Sequence, residues 1–287
     1  MRSSLPFLIV DGYPKPSRDH FEKVGMTLAG KLFASMLLRH LPEAQYNIIY
    51  PSDPDVRLPD SDELQKYGGI LWPGCNLTVY HTDDERVVKM IDLAKTAYEV
   101  GIPQFGNCWG AQIAVCAAGG EVKQNPKGRE IGIARKIHLT ADGKHHRMYE
   151  GKPIVFDSFS SHYDEITKLP EGAICLASND FTDIQAVSVE YKNGIFWATQ
   201  YHLDYNLHEV ARLMVAGEEK LINEGFFKNH HKLIEYVEQL ETIAADSSRY
   251  DLRWRYGIGD DLLSDNIRQY EFVNWLNKIA LPKLTYS

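Results

Sequence analysis

The chain has 287 residues, 44% of them apolar and 11% aromatic, which suits one large domain or one domain with an appendage and excludes a disordered polypeptide. Lys and Arg number 31 against 39 Asp and Glu, a formal net charge of −8 and the wrong sign for a protein held to nucleic acid by its overall field. No stretch approaches the ~20 consecutive apolar residues of a membrane span, and Met1 to Phe7 lacks the apolar core of a signal peptide, so the expectation is a soluble, cytoplasmic protein.

Short apolar runs alternate with helical patterns through the first half, the signature of βαβ units. Pro6 to Val10 reads as a strand, Arg18 to His40 as one helix, Tyr46 to Tyr50 and Gly69 to Trp72 as two further strands. Asp83 to Val100 reads as a helix, with acids at its start and Gly101 and Pro103 at its end. Pro103 to Phe105 is a fourth strand, and after the turn Gly106-Asn107-Cys108-Trp109-Gly110 the apolar segment Ala111 to Ala118 is a helix. Beyond Gly120 the texture becomes β-branched and aromatic: Gly132 to Leu139, Lys152 to Phe159, Ala173 to Ala177, Ala186 to Glu190 and Ile195 to Gln200. The last two are joined by a hairpin at Asn193-Gly194. Helical patterns return at Asn206 to Glu224, His230 to Ala245 and Asp260 to Ile279. The expectation is an α/β domain over residues 1–225, its sheet mostly parallel and carrying an extra hairpin region, and a C-terminal helical extension over 226–287.

Four cysteines (Cys75, Cys108, Cys116, Cys175) are too few and too scattered for a disulfide framework, and none forms a C-x-x-C pair. Cys108 differs from the others. It lies at a strand-to-helix junction between Gly106 and Gly110, the local form of a nucleophile elbow, whose small neighbours permit a sharp turn and whose helix N-terminus favours the thiolate. A base is needed beside it. His202 leaves the end of a strand, and Asp204, two residues on, shares its face and can orient the ring. His145-His146 and His230-His231 read as solvated pairs rather than metal ligands, and neither Gly119-Gly120 nor Gly257-Ile258-Gly259 has a phosphate-loop context, so no metal or cofactor is expected. Arg253-Trp254-Arg255-Tyr256 reads as a cluster packing the extension through stacked Arg and Trp.

The elbow Gly106-Asn107-Cys108-Trp109-Gly110-Ala111-Gln112 resembles the G-x-C-x-G-x-Q motif of class I, triad-type glutamine amidotransferases, and Gln200-Tyr201-His202-Leu203-Asp204 resembles their Q-F-H-P-E. Gly69-Ile70-Leu71-Trp72-Pro73-Gly74 is similar to the family's strand ending in an oxyanion loop. Ser161-His162-Tyr163-Asp164 with Leu169-Pro170 resembles S-H-G-D…L-P in the glutaminase domains of GMP synthetases. These ordered matches cover about residues 5 to 215. Four departures stand out: Asp204 replaces Glu, Leu203 replaces Pro and loosens the local backbone, Pro73-Gly74-Cys75 replaces Gly-Gly-Pro, and Tyr163 replaces Gly and narrows the pocket.

The resemblance implies a flavodoxin-like, mostly parallel central sheet flanked by helices, and a Cys108-His202-Asp204 triad. It also implies an oxyanion hole at the amides of Gly74 and Trp109, and a substrate grip by Gln112, Ser161 and His162. The implied substrate is a small glutamine-like molecule, cleaved through a γ-glutamyl thioester. Three readings stay open: a glutaminase that passes ammonia to a separate synthase subunit, a free-standing hydrolase of γ-glutamyl amides that releases a substituted amine, and a silent binding or scaffold protein on the same fold. The extension is read as a lid or as a contact between copies of the chain in a homo-oligomer.

Overall fold

The computed structural model describes residues 5–282, so the first four residues of the leader reading lie outside it. In chain order the first half runs β1 (Phe7–Val10), α1 (Lys15–Lys23), α2 (Ala29–His40), β2 (Tyr46–Ile49), α3 (Ser61–Leu64), β3 (Gly69–Trp72), α4 (Glu85–Val100), β4 (Gln104–Asn107) and α5 (Trp109–Ala117). The middle holds β5 (Glu121–Gln124), β6 (Glu130–Leu139), α6 (Ala141–His145), β7 (Val155–His162), β8 (Asp164–Lys168), β9 (Ala173–Ser178), β10 (Ala186–Tyr191) and β11 (Gly194–Thr199). Then come α7 (Leu207–Ala216), α8 (Glu218–Asn223), α9 (His230–Ala245), α10 (Tyr250–Tyr256), α11 (Asp260–Leu263), α12 (Asp265–Arg268) and α13 (Tyr270–Trp275).

Nine strands form one sheet in the order β2-β1-β3-β4-β11-β10-β9-β6-β7. Pairing is parallel from β2 across to β11 and antiparallel from β11 to β7. This is the expected flavodoxin-like α/β architecture with added antiparallel strands. The parallel strands are apolar without alternation because helices cover both faces: β1, β3 and β4 are buried at every residue. On one face Val87, Met90 and Ala94 of α4 and Ile113 and Ala114 of α5 join Leu8, Ile70 and Phe196 in a single apolar cluster. On the other, Phe33 and Leu37 of α2 meet Phe272 and Trp275 of α13 over Ile9, Leu71 and Phe105. Residues of the C-terminal helices are thus built into the core beneath the parallel strands.

Helix α4 follows its sequence signals closely: the Asp84 side chain caps its start through the Arg86 amide at 2.9 Å, and Gly101 ends it at φ 78°. Three other expected helices are broken where residues leave helical geometry. The helix read over 18–40 divides at Gly25 (φ 81°) into α1 and α2. That over 206–224 divides at Gly217 into α7 and α8, and that over 260–279 divides at Ser264, whose ψ of 115° is extended, and again at Gln269, into α11, α12 and α13. The β10–β11 hairpin forms, with Lys192 and Asn193 as its turn residues and Lys192 at φ 53°. The basic-aromatic cluster differs from expectation. Trp254 is 74% exposed, and Arg253 and Arg255 lie instead over the rings of Tyr250 and Tyr256, because the short α10 turns the indole away from the core. Among the described residues no helix is long and apolar enough to cross a membrane.

Candidate active site

Three adjacent parallel strands, β3, β4 and β11, end on the same side of the sheet, and the chain that leaves each carries one predicted element of the site: Gly74, Cys108 and His202. Carboxyl ends of parallel strands are where α/β sheets place their ligands. Cys108 adopts φ 50°, ψ −104° between β4 and α5, strained geometry for a residue with a Cβ. Its amide donates to the Thr199 carbonyl at 2.7 Å, tying the turn to the end of β11. Glycine is required beside it: a Cβ on Gly110 would stand 2.4 Å from the Trp72 carbonyl oxygen. The elbow therefore lies directly on the backbone of β3, and its thiol donates to the Ser161 carbonyl at 3.6 Å.

His202 is 2% exposed, and its ring and the Cys108 side chain both lie against Gly74. Its Nδ1 contacts Asp204 Oδ1 at 3.0 Å, its amide donates to the Phe159 carbonyl at 2.8 Å, and its ring stacks on Tyr205 with centroids 3.9 Å apart. Burial pulls the imidazole pKa down, but the Asp204 carboxylate, aided by Cys108, outweighs burial and raises it to about 9. Asn107, inside the elbow, donates its Nδ2 to the same Asp204 oxygen. Gly74 lies against both partners: a Cβ there would be 2.8 Å from His202 Cε1 and 3.6 Å from Cys108 Cβ. Trp109 begins α5, so its amide is among the first-turn donors that the helix leaves unpaired.

A cavity of about 730 Å³ opens beside the Cys108 side chain, and Gln112, Ser161 and His162 all line it. Gln112 is buried and donates to Gln200 Oε1 at 3.5 Å. His162 faces oxygens at both ring nitrogens, Glu130 Oε2 and the Asp164 carbonyl, each at 2.9 Å. Burial raises the Glu130 pKa, but hydrogen bonds from His162, Asn179 and Gln185 outweigh it and hold the carboxyl below its ordinary range. His162 is thereby locked into the cavity wall beside Ser161.

No sequence signal announces the support beneath His202. Arg268 Nε and Gln269 Nε2 both donate to the Leu203 carbonyl, at 3.2 and 3.3 Å, so the residue between His202 and Asp204 is tied from below. The neighbouring Tyr201 hydroxyl donates to Glu271 at 2.5 Å, and Glu271 pairs with the buried Lys152 at 3.0 Å. The looseness expected from Leu203 in place of Pro is thus taken up by the C-terminal helices. Asn107 could have been suspected from its place in the elbow; Arg268, Gln269 and Glu271 belong to no local pattern.

A family model described as "Glutamine amidotransferase class-I" matches residues 29–217. A γ-glutamyl-L-1-hydroxyisopropylamide hydrolase of Pseudomonas sp. is 31% identical over 283 residues, covering 97% of this chain and 94% of that protein. A glutamine-hydrolyzing GMP synthase of a Nitratiruptor species is 31% identical over 174 residues, 60% of this chain but 31% of the synthase. Among solved structures, a glutamine amidotransferase from Methylobacillus flagellatus superposes with a TM-score of 0.66 at 17% identity, covering 96% of this chain and 95% of that one, a likeness of fold.

Proposed function

Taking as premise that this chain belongs to the class I glutamine amidotransferase family, we propose that it hydrolyses γ-glutamyl amides of substituted amines through Cys108, His202 and Asp204. The observation that carries the reading is that Cys108, which lines the cavity, and a His202 ring oriented by Asp204 both lie against Gly74.

In this reading the Cys108 thiolate attacks the carbonyl carbon of the γ-amide, forming the C–S bond. The oxyanion is received by the Gly74 and Trp109 amides, a contribution of about 3–4 kcal/mol per donor in comparable sites. His202 gives its proton to the departing nitrogen as the C–N bond breaks, and the amine leaves. Water then attacks the γ-glutamyl thioester, His202 takes a proton from it, and glutamate departs as the thiolate returns. Asp204 holds the ring and favours its charged form. Gln112, Ser161 and His162 bound the space for the γ-glutamyl chain.

The similarity to the γ-glutamyl-L-1-hydroxyisopropylamide hydrolase spans nearly all of both chains, including the C-terminal helices, whereas the synthase is matched over less than a third of its length. That contrast favours amine release over ammonia transfer to a synthase partner. The test is to incubate the protein with L-glutamine, γ-glutamylanilide and a γ-glutamylalkylamide, and to measure ammonia against free amine. Faster release of amine than of ammonia supports the proposal; a preference for glutamine that grows on adding a synthase supports coupling; no turnover and no labelling of Cys108 by the glutamine analogue DON sinks both.

A further inference from the structure

The residue before the nucleophile is a buried polar side chain that the proposed reaction leaves unused. Asn107 ends β4 and is closed to water. Its Nδ2 donates to Asp204 Oδ1, while its own Oδ1 has no hydrogen-bond partner among the described residues. The opposite amide orientation would set an oxygen against the carboxylate, so the nitrogen is the atom that faces Asp204. Asp204 is one-sided in the same way. Its Oδ1 meets both His202 Nδ1, at 3.0 Å, and Asn107 Nδ2, whereas Oδ2 is buried without a partner among the described residues. Arg268 directs its hydrogen bonds to the Leu203 and Leu262 carbonyls and to the Asp265 carboxylate.

A buried amide oxygen without a partner costs free energy that an apolar side chain at the same position would not incur. What offsets that cost is the donor that Asn107 aims at Asp204. A carboxylate held by a single hydrogen bond can pivot about its Cβ–Cγ bond; two groups on one oxygen, arriving from different chain segments, remove that freedom. The backbone already fixes the frame between those segments. Asn107 stands opposite Thr199 in the parallel pair of β4 and β11, and the Cys108 amide donates to the Thr199 carbonyl at 2.7 Å. Asp204 is also one methylene shorter than the Glu of the motif it resembles, and Asn107 reaches across from β4 to meet it.

We propose that Asn107 is a positioning residue: by holding Asp204 Oδ1 from the strand that carries the nucleophile, it keeps the short acid against His202 Nδ1 and ties the placement of the acid to that of Cys108. The expected effect on rate rests on the hydrolase reading; the hold on Asp204 does not.

The experiment compares the unaltered protein with Asn107→Ala, Asp204→Glu and the double variant Asn107→Ala/Asp204→Glu by two readouts. The first is the low-field proton resonance of His202 Nδ1–H in protein carrying isotope-labelled histidine, without substrate, assigned by its absence from His202→Ala. The second is kcat and KM for γ-glutamylanilide. Asn107→Ala should lose the resonance and lower kcat by about tenfold or more, with KM within about twofold of the parent. Asp204→Glu alone should also be slow, because the longer side chain overruns Asn107. The double variant should regain the resonance and most of the rate, since Glu enters the space that Asn107 leaves and reaches the ring by its own length. Asn107→Val, a strand former without a donor, carries the same comparison if the Ala variant loses its native circular dichroism. A resonance missing from the unaltered protein or persisting in Asn107→Ala, an undiminished kcat in Asn107→Ala, or a double variant no better than Asn107→Ala overturns the proposal. Turnover of γ-glutamylanilide by the unaltered protein separates the two ideas. The expected resonance pattern without turnover leaves the hold and removes the hydrolase; turnover with a resonance that ignores Asn107 does the reverse; neither removes both.

Discussion

Asp204→Asn is the substitution whose magnitude the site states most directly. The pair His202 Nδ1–Asp204 Oδ1 is 3.0 Å long and nearly closed to water, with side chains 2% and 1% exposed. The rise of the imidazole pKa from 6.5 to about 9 corresponds to ~3 kcal/mol in favour of the imidazolium, at about 1.4 kcal/mol per tenfold. Asp204 is the largest upward influence, so the amide variant leaves burial to dominate and the pKa falls. The proposed reaction passes through an imidazolium beside a developing anion, so losing most of that preference should lower kcat/KM by about 10²-fold. Aniline release from γ-glutamylanilide, followed between about pH 5 and 10, is the assay. Stability gives a second readout. A His pKa raised in the fold contributes stability fully below about 6.5, and that contribution is lost as pH climbs through about 9; the Tm advantage of the parent over Asp204→Asn should shrink across that window. Rates indistinguishable from the parent, with an advantage in Tm that does not vary with pH, would refute the assignment of Asp204 as the orienting acid.

Cys108→Ala should abolish amine release while circular dichroism stays native, since it removes one sulfur from a buried site at a cost of about 1 kcal/mol; residual turnover would place the nucleophile elsewhere. Gly74→Ala adds a methyl 2.8 Å from His202 Cε1, so kcat should drop by about tenfold or more with little change in KM, and an unchanged kcat would mean that the loop is not seated on the ring. Arg268→Met removes donors from Leu203 and Leu262, while Asp265 keeps Arg39 as its partner. Urea unfolding should show a loss of about 2–3 kcal/mol, with kcat falling more than KM rises because the His202 seat loosens. Native stability with full activity would show that Gln269 alone holds the Leu203 carbonyl.

The fold was legible where the signals are local. The apolar runs of β1, β3 and β4 need no alternation when both faces are covered, and α4 shows its own cap and its own stop. Strands β5 and β8 escaped notice because each brings one buried apolar residue, Val122 or Ile166, and otherwise polar side chains; their pairing is a matter of backbone hydrogen bonds. The helix breaks at Gly25, Gly217 and Ser264 were hidden for a different reason: apolar spacing continues through them, so periodicity alone joins what the backbone dihedrals separate.

The same distinction explains which parts of the site could be read. Cys108 and His202 are announced by glycines and by a strand end within a few residues, constraints that the local backbone imposes on its own sequence. Arg268 and Gln269 have no such neighbours; each bears on the site through a partner distant in sequence, as when Arg268 reaches a carbonyl 65 residues back in the chain. A local motif can therefore identify the bond to be broken, because the attacking group must be projected by a strained turn. The features that keep the base in register are long-range ones. The hydrogen bonds of Arg268 and Gln269 to Leu203, and of Glu271 to Tyr201, make residues 268–271 part of the support of the site, which is why truncating the extension should cost turnover and not merely stability.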